Sequence, residues 1–416
     1  MWQKAFLSGI FILFCSGFSF AQKLTLVDLE KSFLLNNQSL FIEKFNISKA
    51  EAYKMQAKVW NNPNLELSEV NLWTNPTVEE GIRQQYAIEL QQLIETAGKR
   101  KSRIQIKEFE KKDAEYAYLE LLFQLKSQLY KAFYSARALY QQEEVNKQIQ
   151  ALYQSQAEKY KKHTAEQLVS KADYLRIQAA LLSLQRESLT LHNQQLDIVH
   201  QIAVLTQIPQ LTLGSLNLQE GLERIDENIY FPSIDQQLKN NIQLLRTENN
   251  IALARANWSL EHANRIPNLQ LIVNNDRGGN IMRNFVGVGL SFDIPLFDRN
   301  KHNMKAARIE LTQREAYAKQ IDFELQAELV KLYNQLSETR KTLLLWSENL
   351  QEDQSAFLET YQRNMMSGQV SLIQFIDYIE SFKDARHAFI ELTETYQHQL
   401  EDLKLLIGPE TPIYEN

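Results

Sequence analysis

The sequence repeats itself. Displaced by 204 residues, the chain pairs Asn36-Asn37 with Asn240-Asn241, Leu40 with Leu244, Asn46-Ile47 with Asn250-Ile251, Ala50 with Ala254 and Ala52 with Ala256. The same displacement pairs Pro63-Asn64-Leu65 with Pro267-Asn268-Leu269 and Leu67 with Leu271, without a gap. A displacement of 201 then pairs Tyr160 with Tyr361 and Val169-Ser170 with Val370-Ser371. A tandem duplication obliges each half to build the same order of elements, which removes most folds open to a chain of 416 residues.

That order is legible. Each half opens with a helical stretch, about 25 to 60 and 232 to 264, which stops at an Asn/Pro break, "NNPNL" or "RIPNL". Two strand-like segments follow. In "YAIEL", Tyr86, Ile88 and Leu90 alternate with Ala87 and Glu89, and in "FVGVGLSFDI", Val286, Val288, Leu290, Phe292 and Ile294 alternate with small or polar residues. Such a segment has one apolar face and suits either a half-buried strand or a membrane barrel strand. The first strand of the chain, from Asn64, loses its alternation after Leu67, which leaves its register open.

A long helix comes next in each half. No Gly or Pro occurs from Lys99 to Ile208, and from Leu296 to Ile407 only Gly368 interrupts. Tyr118, Leu122, Leu125, Leu129, Ala132, Ala136 and Leu139 recur at coiled-coil spacing, as do Ile321, Leu325, Leu329, Leu332, Leu336, Leu343, Trp346 and Leu350. The pattern predicts helices over about 99–160 and 302–364, each about 90 Å long at 1.5 Å per residue. Reversals are expected at His163-Thr164-Ala165 and at Ser367-Gly368-Gln369, followed by returning helices. The domain division is therefore a leader over 1–21, a first repeat over 22–215, a linker over 216–229 and a second repeat over 230–416.

Lys4 followed by the apolar run Ala5 to Phe20 and by Ser19-Phe20-Ala21 reads as a secretory signal peptide cut after Ala21. The single cysteine, Cys15, lies inside it and follows Leu13-Phe14, so no lipid anchor is expected, and the mature chain has no disulfide, thiolate metal site or cysteine nucleophile. A net charge of -6 speaks against nucleic acid as a partner. The basic run "AGKRKSR", Gly98 to Arg103, lacks the phosphate-loop frame and reads as a helix start near a membrane. His192 and His200 stand about 12 Å apart along a helix, too far to share a metal. Neither H-E-x-x-H nor G-x-S-x-G occurs, and no enzyme, cofactor or metal site is expected.

The duplication, "NPNLELS" after the first helix, "LSFDIPLFDRNK" where strand gives way to helix, and "SGQVSLIQFIDYIES" at the second reversal together resemble the TolC-like outer-membrane efflux family over the whole mature chain. The resemblance implies an α+β membrane protein: a tandem-repeat protomer with four barrel strands and two long antiparallel helical hairpins. Three such protomers would form a 12-stranded β-barrel continued by a periplasmic α-helical tunnel. It implies an outer-membrane location, a homotrimer, contact with outer-membrane lipid, a periplasmic adaptor and an inner-membrane pump. Matching "VSLIQFIDYIES" to the family's aperture motif puts Asp377 on one acidic position and Gln374 on the other, with Asp173 the corresponding residue of the first hairpin. Gly368, Val370 and Ser371, with Val169 and Ser170, fall where the tunnel tips meet an adaptor. Met365 and Val370 occupy the places of the family's latching Tyr and Arg, which implies a differently stabilised closed state. Bland readings stand beside these: solvated acids near a turn, and serines that cap helices.

The expected function is a passive outer-membrane duct of a tripartite efflux or type I secretion system, carrying heavy-metal cations or drugs. The short chain, ending eight residues after Gly408, points to the metal branch. The alternative is a soluble periplasmic coiled-coil scaffold or adaptor.

Overall fold

The structure, a computed structural model, describes residues 23–71, 85–219, 238–278, 284–346, 360–361, 363–365 and 369–408. The expected leader with Cys15, most of the expected linker, Leu350, and Ser367-Gly368 of the expected second reversal lie outside the described residues.

The first repeat runs α1 (Leu26–Asn36), α2 (Gln38–Ala57), β1 (Asn64–Asn71), β2 (Gln85–Ile94), α3 (Lys99–Ala165) and α4 (Lys171–Thr206). The second runs α5 (Ile242–Ala263), β3 (Leu269–Arg277), β4 (Asn284–Ser291), α6 (Lys301–Leu345) and α7 (Leu372–Ile407). The duplication reaches individual hydrogen bonds. Asn37 caps α2 by accepting from the Leu40 amide at 3.2 Å, and Asn241 caps α5 by accepting from the Leu244 amide at 2.9 Å, 204 residues on. The returning helices α4 and α7 each have 36 residues, offset by 201, and both end in the left-handed region, at Gln207 (φ 56°) and Gly408 (φ 81°). A Cβ on Gly408 would also run into the Asn240 carbonyl, so glycine is required there twice over.

Three expectations are corrected. The opening helix of the first repeat is broken at Asn37, because the Asn side chain takes the helix-starting amide and holds its own backbone extended. The first long helix continues through Ala165, so the reversal occupies 166–170 and not His163-Thr164-Ala165. Tyr118, Leu122 and Leu125 of its seam are only half-buried, whereas Leu129, Ala132 and Ala136 are buried. In α6 the seam from Ile321 through Leu325, Leu329, Leu332 and Leu336 to Leu343 is buried throughout.

The chain forms two compact units. The first comprises Met1–Asn36, Ala132–Glu223 and Gln354–Glu391; the second comprises Asn37–Lys131, Arg224–Asp353 and Leu392–Asn416. In the first, Ile149, Ile177, Leu184, Phe375 and Ile379 form a buried apolar core. Leu24 bridges to Leu216, its amide donating to the Ser215 carbonyl at 2.8 Å, which ties the segment before α1 to the stretch after α4. The second unit holds one antiparallel sheet in the order β1-β2-β3-β4.

Candidate functional site

Chain register decides the chemistry of the sheet. Leu65 pairs with Leu90 and Leu67 with Ile88, Leu90 pairs with Val273, Val273 with Val288, and Leu271 with Leu290. Side chains directly opposite share a face, so these residues make a mainly apolar surface, interrupted by Gln92 opposite Leu271 and Asn275 opposite Ile88. It is not covered: Leu65 is 65 % exposed, Val288 75 % and Leu290 68 %. On the other face Glu66 pairs with Glu89, Glu89 with Asn274, and Asn274 with Gly287. A Cβ at Gly287 would strike the Asn274 carboxamide and come within 2.7 Å of the Phe285 ring, so small size is needed there.

The lost alternation of β1 has a local cause. From Ser68 to Asn71 the strand advances three residues while β2 advances two, from Ala87 to Gln85, and Glu69 sits at φ 53° in the extra position. This is a bulge, which reverses the in-and-out pattern beyond it.

The tips of the helical hairpins lie in the other unit. After α3, Gln167 adopts φ 59° and the Leu168 amide donates to the His163 carbonyl at 2.8 Å, closing the last turn. The same bond recurs 201 residues on, from the Gln369 amide to the Asn364 carbonyl at 2.9 Å. Gly368, the sequence counterpart of Gln167, lies outside the described residues. Ser170 and Ser371 are helix caps: the Ser170 hydroxyl accepts from the Ala172 amide at 3.0 Å, and the Ser371 hydroxyl donates to Gln374 Oε1 at 2.8 Å while the Ser371 amide donates to the same oxygen at 3.1 Å. Gln374 is therefore the returning member of a capping box. Val169 and Val370 are half-buried, the latter against the apolar core, which also takes Met365 at 7 % exposure. Asp173 accepts from Arg176 at 3.2 Å one turn on. Asp377 is exposed, and Glu380 and Asp384 follow it at helical spacing, also exposed. Leu372, Phe375, Ile379 and Phe382 face the opposite way, into the core, so packing turns the acids outward from this protomer.

One feature escapes a reading of seams alone. Inside the same unit, Asn146 of α3 is fully buried and donates to Glu187 of α4, which accepts from Lys383 of α7 at 2.6 Å and lies 3.5 Å from His387 Nδ1. Burial is the main influence on His387 and pushes its pKa down, against the Glu187 charge. The signal in the sequence is a set of polar residues set into or beside buried heptad positions on three helices. No described helix is long and apolar enough to cross a membrane.

Residues 233–409 match the family described as outer membrane efflux protein. No curated protein matches the chain. Among solved structures, a membrane protein from Pseudomonas aeruginosa is similar at a TM-score of 0.76 with 15 % identity, covering 92 % of each chain. The outer membrane protein VceC of Vibrio cholerae is similar at 0.70 with 14 % identity, covering 91 % of this chain and 94 % of its own. The open state of the MtrE outer membrane channel of Neisseria gonorrhoeae is similar at 0.71 with 14 % identity, covering 92 % and 88 %. At such identities the likeness establishes the fold.

Proposed function

We infer that this chain, a TolC-like outer membrane efflux protein by the sequence of its second repeat and by its fold, is the passive outer-membrane duct of a tripartite export system. The observation that carries the reading is the sheet: one face apolar and uncovered, the other polar, and two edges, β1 and β4, with no partner strand among the described residues. Four strands cannot close a barrel, and open edges cannot face lipid, so further copies must supply the missing strands. Three copies give 12 strands, with Leu65, Val273, Val288 and Leu290 toward lipid and Glu66, Glu89 and Asn274 toward water. A soluble scaffold would leave that apolar face wet.

The helical hairpins continue the path on the periplasmic side, where an adaptor meets the tips near Val169, Ser170, Gly368, Val370 and Ser371. Asp377, exposed on α7, joins its two symmetry copies at the narrow end, with Gln374 three residues before it and Asp173 of the first hairpin at an acidic position beside the aperture. A ring of carboxylates concentrates cations, so the favoured cargo is cationic: heavy-metal cations or cationic drugs handed over by an inner-membrane pump. With Met365 buried in the core, the closed state is held by apolar packing.

Planar-bilayer recording tests the duct. The purified chain is expected to conduct with cation preference, and Asp377→Asn to weaken that preference; absence of any conductance from an inserted protein sinks the reading. Growth of a deletion strain on zinc, cobalt, cadmium, copper and silver salts beside antibiotics, detergents and dyes then separates metals from drugs as cargo.

A further inference from the structure

The two long helices begin in an unusual way. Over 99–107, α3 carries Lys99, Arg100, Lys101, Arg103 and Lys107 with no acid before Glu108. Around the start of α6 stand Arg299, Lys301, Lys305 and Arg308, with His302, and no acid falls within the helix before Glu310. In both helices the first acid is the tenth residue. Helix N-termini favour acids, because the macrodipole is positive there, so each repeat carries a charge pattern that its own helix disfavours. A chain with a net charge of -6 has no general surplus of cations to explain it.

Internal partners absorb only part of the charge. Lys99 donates to the Ile266 carbonyl at 2.5 Å and to Asn268 at 2.7 Å, and Arg103 pairs with Glu95. Lys101, Arg299, Lys301 and Lys305 are exposed and make no ion pair among the described residues. All four flank the strand ends, α3 starting five residues after β2 and α6 ten after β4. The stretch between β4 and α6 is exposed and holds large apolar residues, Leu296 at 64 % and Phe297 at 101 %, beside Asp293 and Asp298. Each repeat also stacks an arginine on a tryptophan beside this level: Arg100 lies 4.6 Å from the Trp60 ring and Arg308 5.2 Å from the Trp258 ring. An apolar sheet face, then the exposed Leu296-Phe297, then cations without an ion pair among the described residues is the order of environments met on leaving a bilayer: hydrocarbon, interface, phosphate.

We propose that Lys101, Arg299, Lys301 and Lys305 form a lipid-phosphate collar that binds anionic phospholipid headgroups of the leaflet on the helical side of the sheet. Lys101 stands in the first repeat and Arg299, Lys301 and Lys305 in the second, so closure by further copies makes a ring. It fixes how deep the sheet sits, because shifting the collar into hydrocarbon strands charge and shifting it outward wets the apolar face. The inference rests on the reading of the sheet as membrane-spanning.

The test uses the full chain reconstituted in phosphatidylcholine vesicles carrying spin-labelled phosphatidylglycerol or spin-labelled phosphatidylcholine. Wild type is expected to hold the anionic probe at its boundary about fivefold over the zwitterionic one, and to lose that preference in about 1 M salt, where screening acts within about 3 Å. Lys101→Gln, Arg299→Gln, Lys301→Gln and Lys305→Gln combined should abolish the preference and keep the boundary lipid. Removing four exposed lysines elsewhere, by Lys159→Gln, Lys161→Gln, Lys162→Gln and Lys319→Gln, should leave the preference intact. Equal holding of both probes by wild type, or equal loss in both variants, overturns the collar while leaving the membrane reading standing. No boundary lipid of either kind overturns the membrane reading itself.

Discussion

Asn37 and Asn241 show what a single residue does in this chain. Each starts a helix with a side-chain oxygen on the amide three residues on, and Asn241 Nδ2 also donates to the Leu406 carbonyl at 2.6 Å. Replacing a cap by alanine costs about 1 kcal/mol, so Asn37→Ala should lower the urea midpoint modestly. Asn241→Ala should lower it too, because the Leu244 amide loses its acceptor and the Leu406 carbonyl its donor. His387 supplies the pH dependence. Its imidazole faces Glu187, Lys383, Glu391 and Gln142, and burial holds its pKa below that of an exposed histidine. The folded state then binds fewer protons than the unfolded state, so this contribution is complete above about pH 6.5 and is lost as pH falls through the window below it. Denaturation at pH 7.5 and 5.5 should show a smaller acid-induced drop for His387→Gln than for wild type; an equal drop removes His387 as the cause.

Elements differ in how much they depend on neighbours. The α6 seam was visible from spacing alone, and Leu329 and Leu336 are both at 0 % exposure. Leu336→Ala should destabilise by about 2–5 kcal/mol, read as a loss in unfolding midpoint. The sheet obeys a different rule, because each strand puts alternate residues on opposite faces. Lysine at the apolar face costs about 2–4 kcal/mol near a bilayer midplane, so Val288→Lys should deplete the protein from the outer-membrane fraction. Glu89→Gln, on the polar face, should leave its level unchanged. If both variants accumulate equally, the faces have been assigned wrongly.

At the scale of the molecule, the proposed duct requires more than one chain. A sheet whose edge strands have no partner among the described residues, and whose apolar face is uncovered, does not close a membrane duct by itself. Light scattering on detergent-extracted protein should report three chain masses; a stable monomer that nevertheless conducts would refute closure by copies.

The sequence by itself determined the duplication, the element order, the helical seams and the alternation of β2 and β4, because these follow from local periods of 3.5 and 2 that survive without partners. It also held the family resemblance, whose motifs are contiguous. Tertiary structure alone decided the register of β1, since the bulge at Glu69 is defined by what β2 does opposite it. It alone turned Asp377 outward from the core. It also gathered Asn146, Glu187, Lys383 and His387 into one layer, from helices far apart in the chain. Each of these depends on which residue faces which across an interface, and a one-dimensional pattern does not contain that distance.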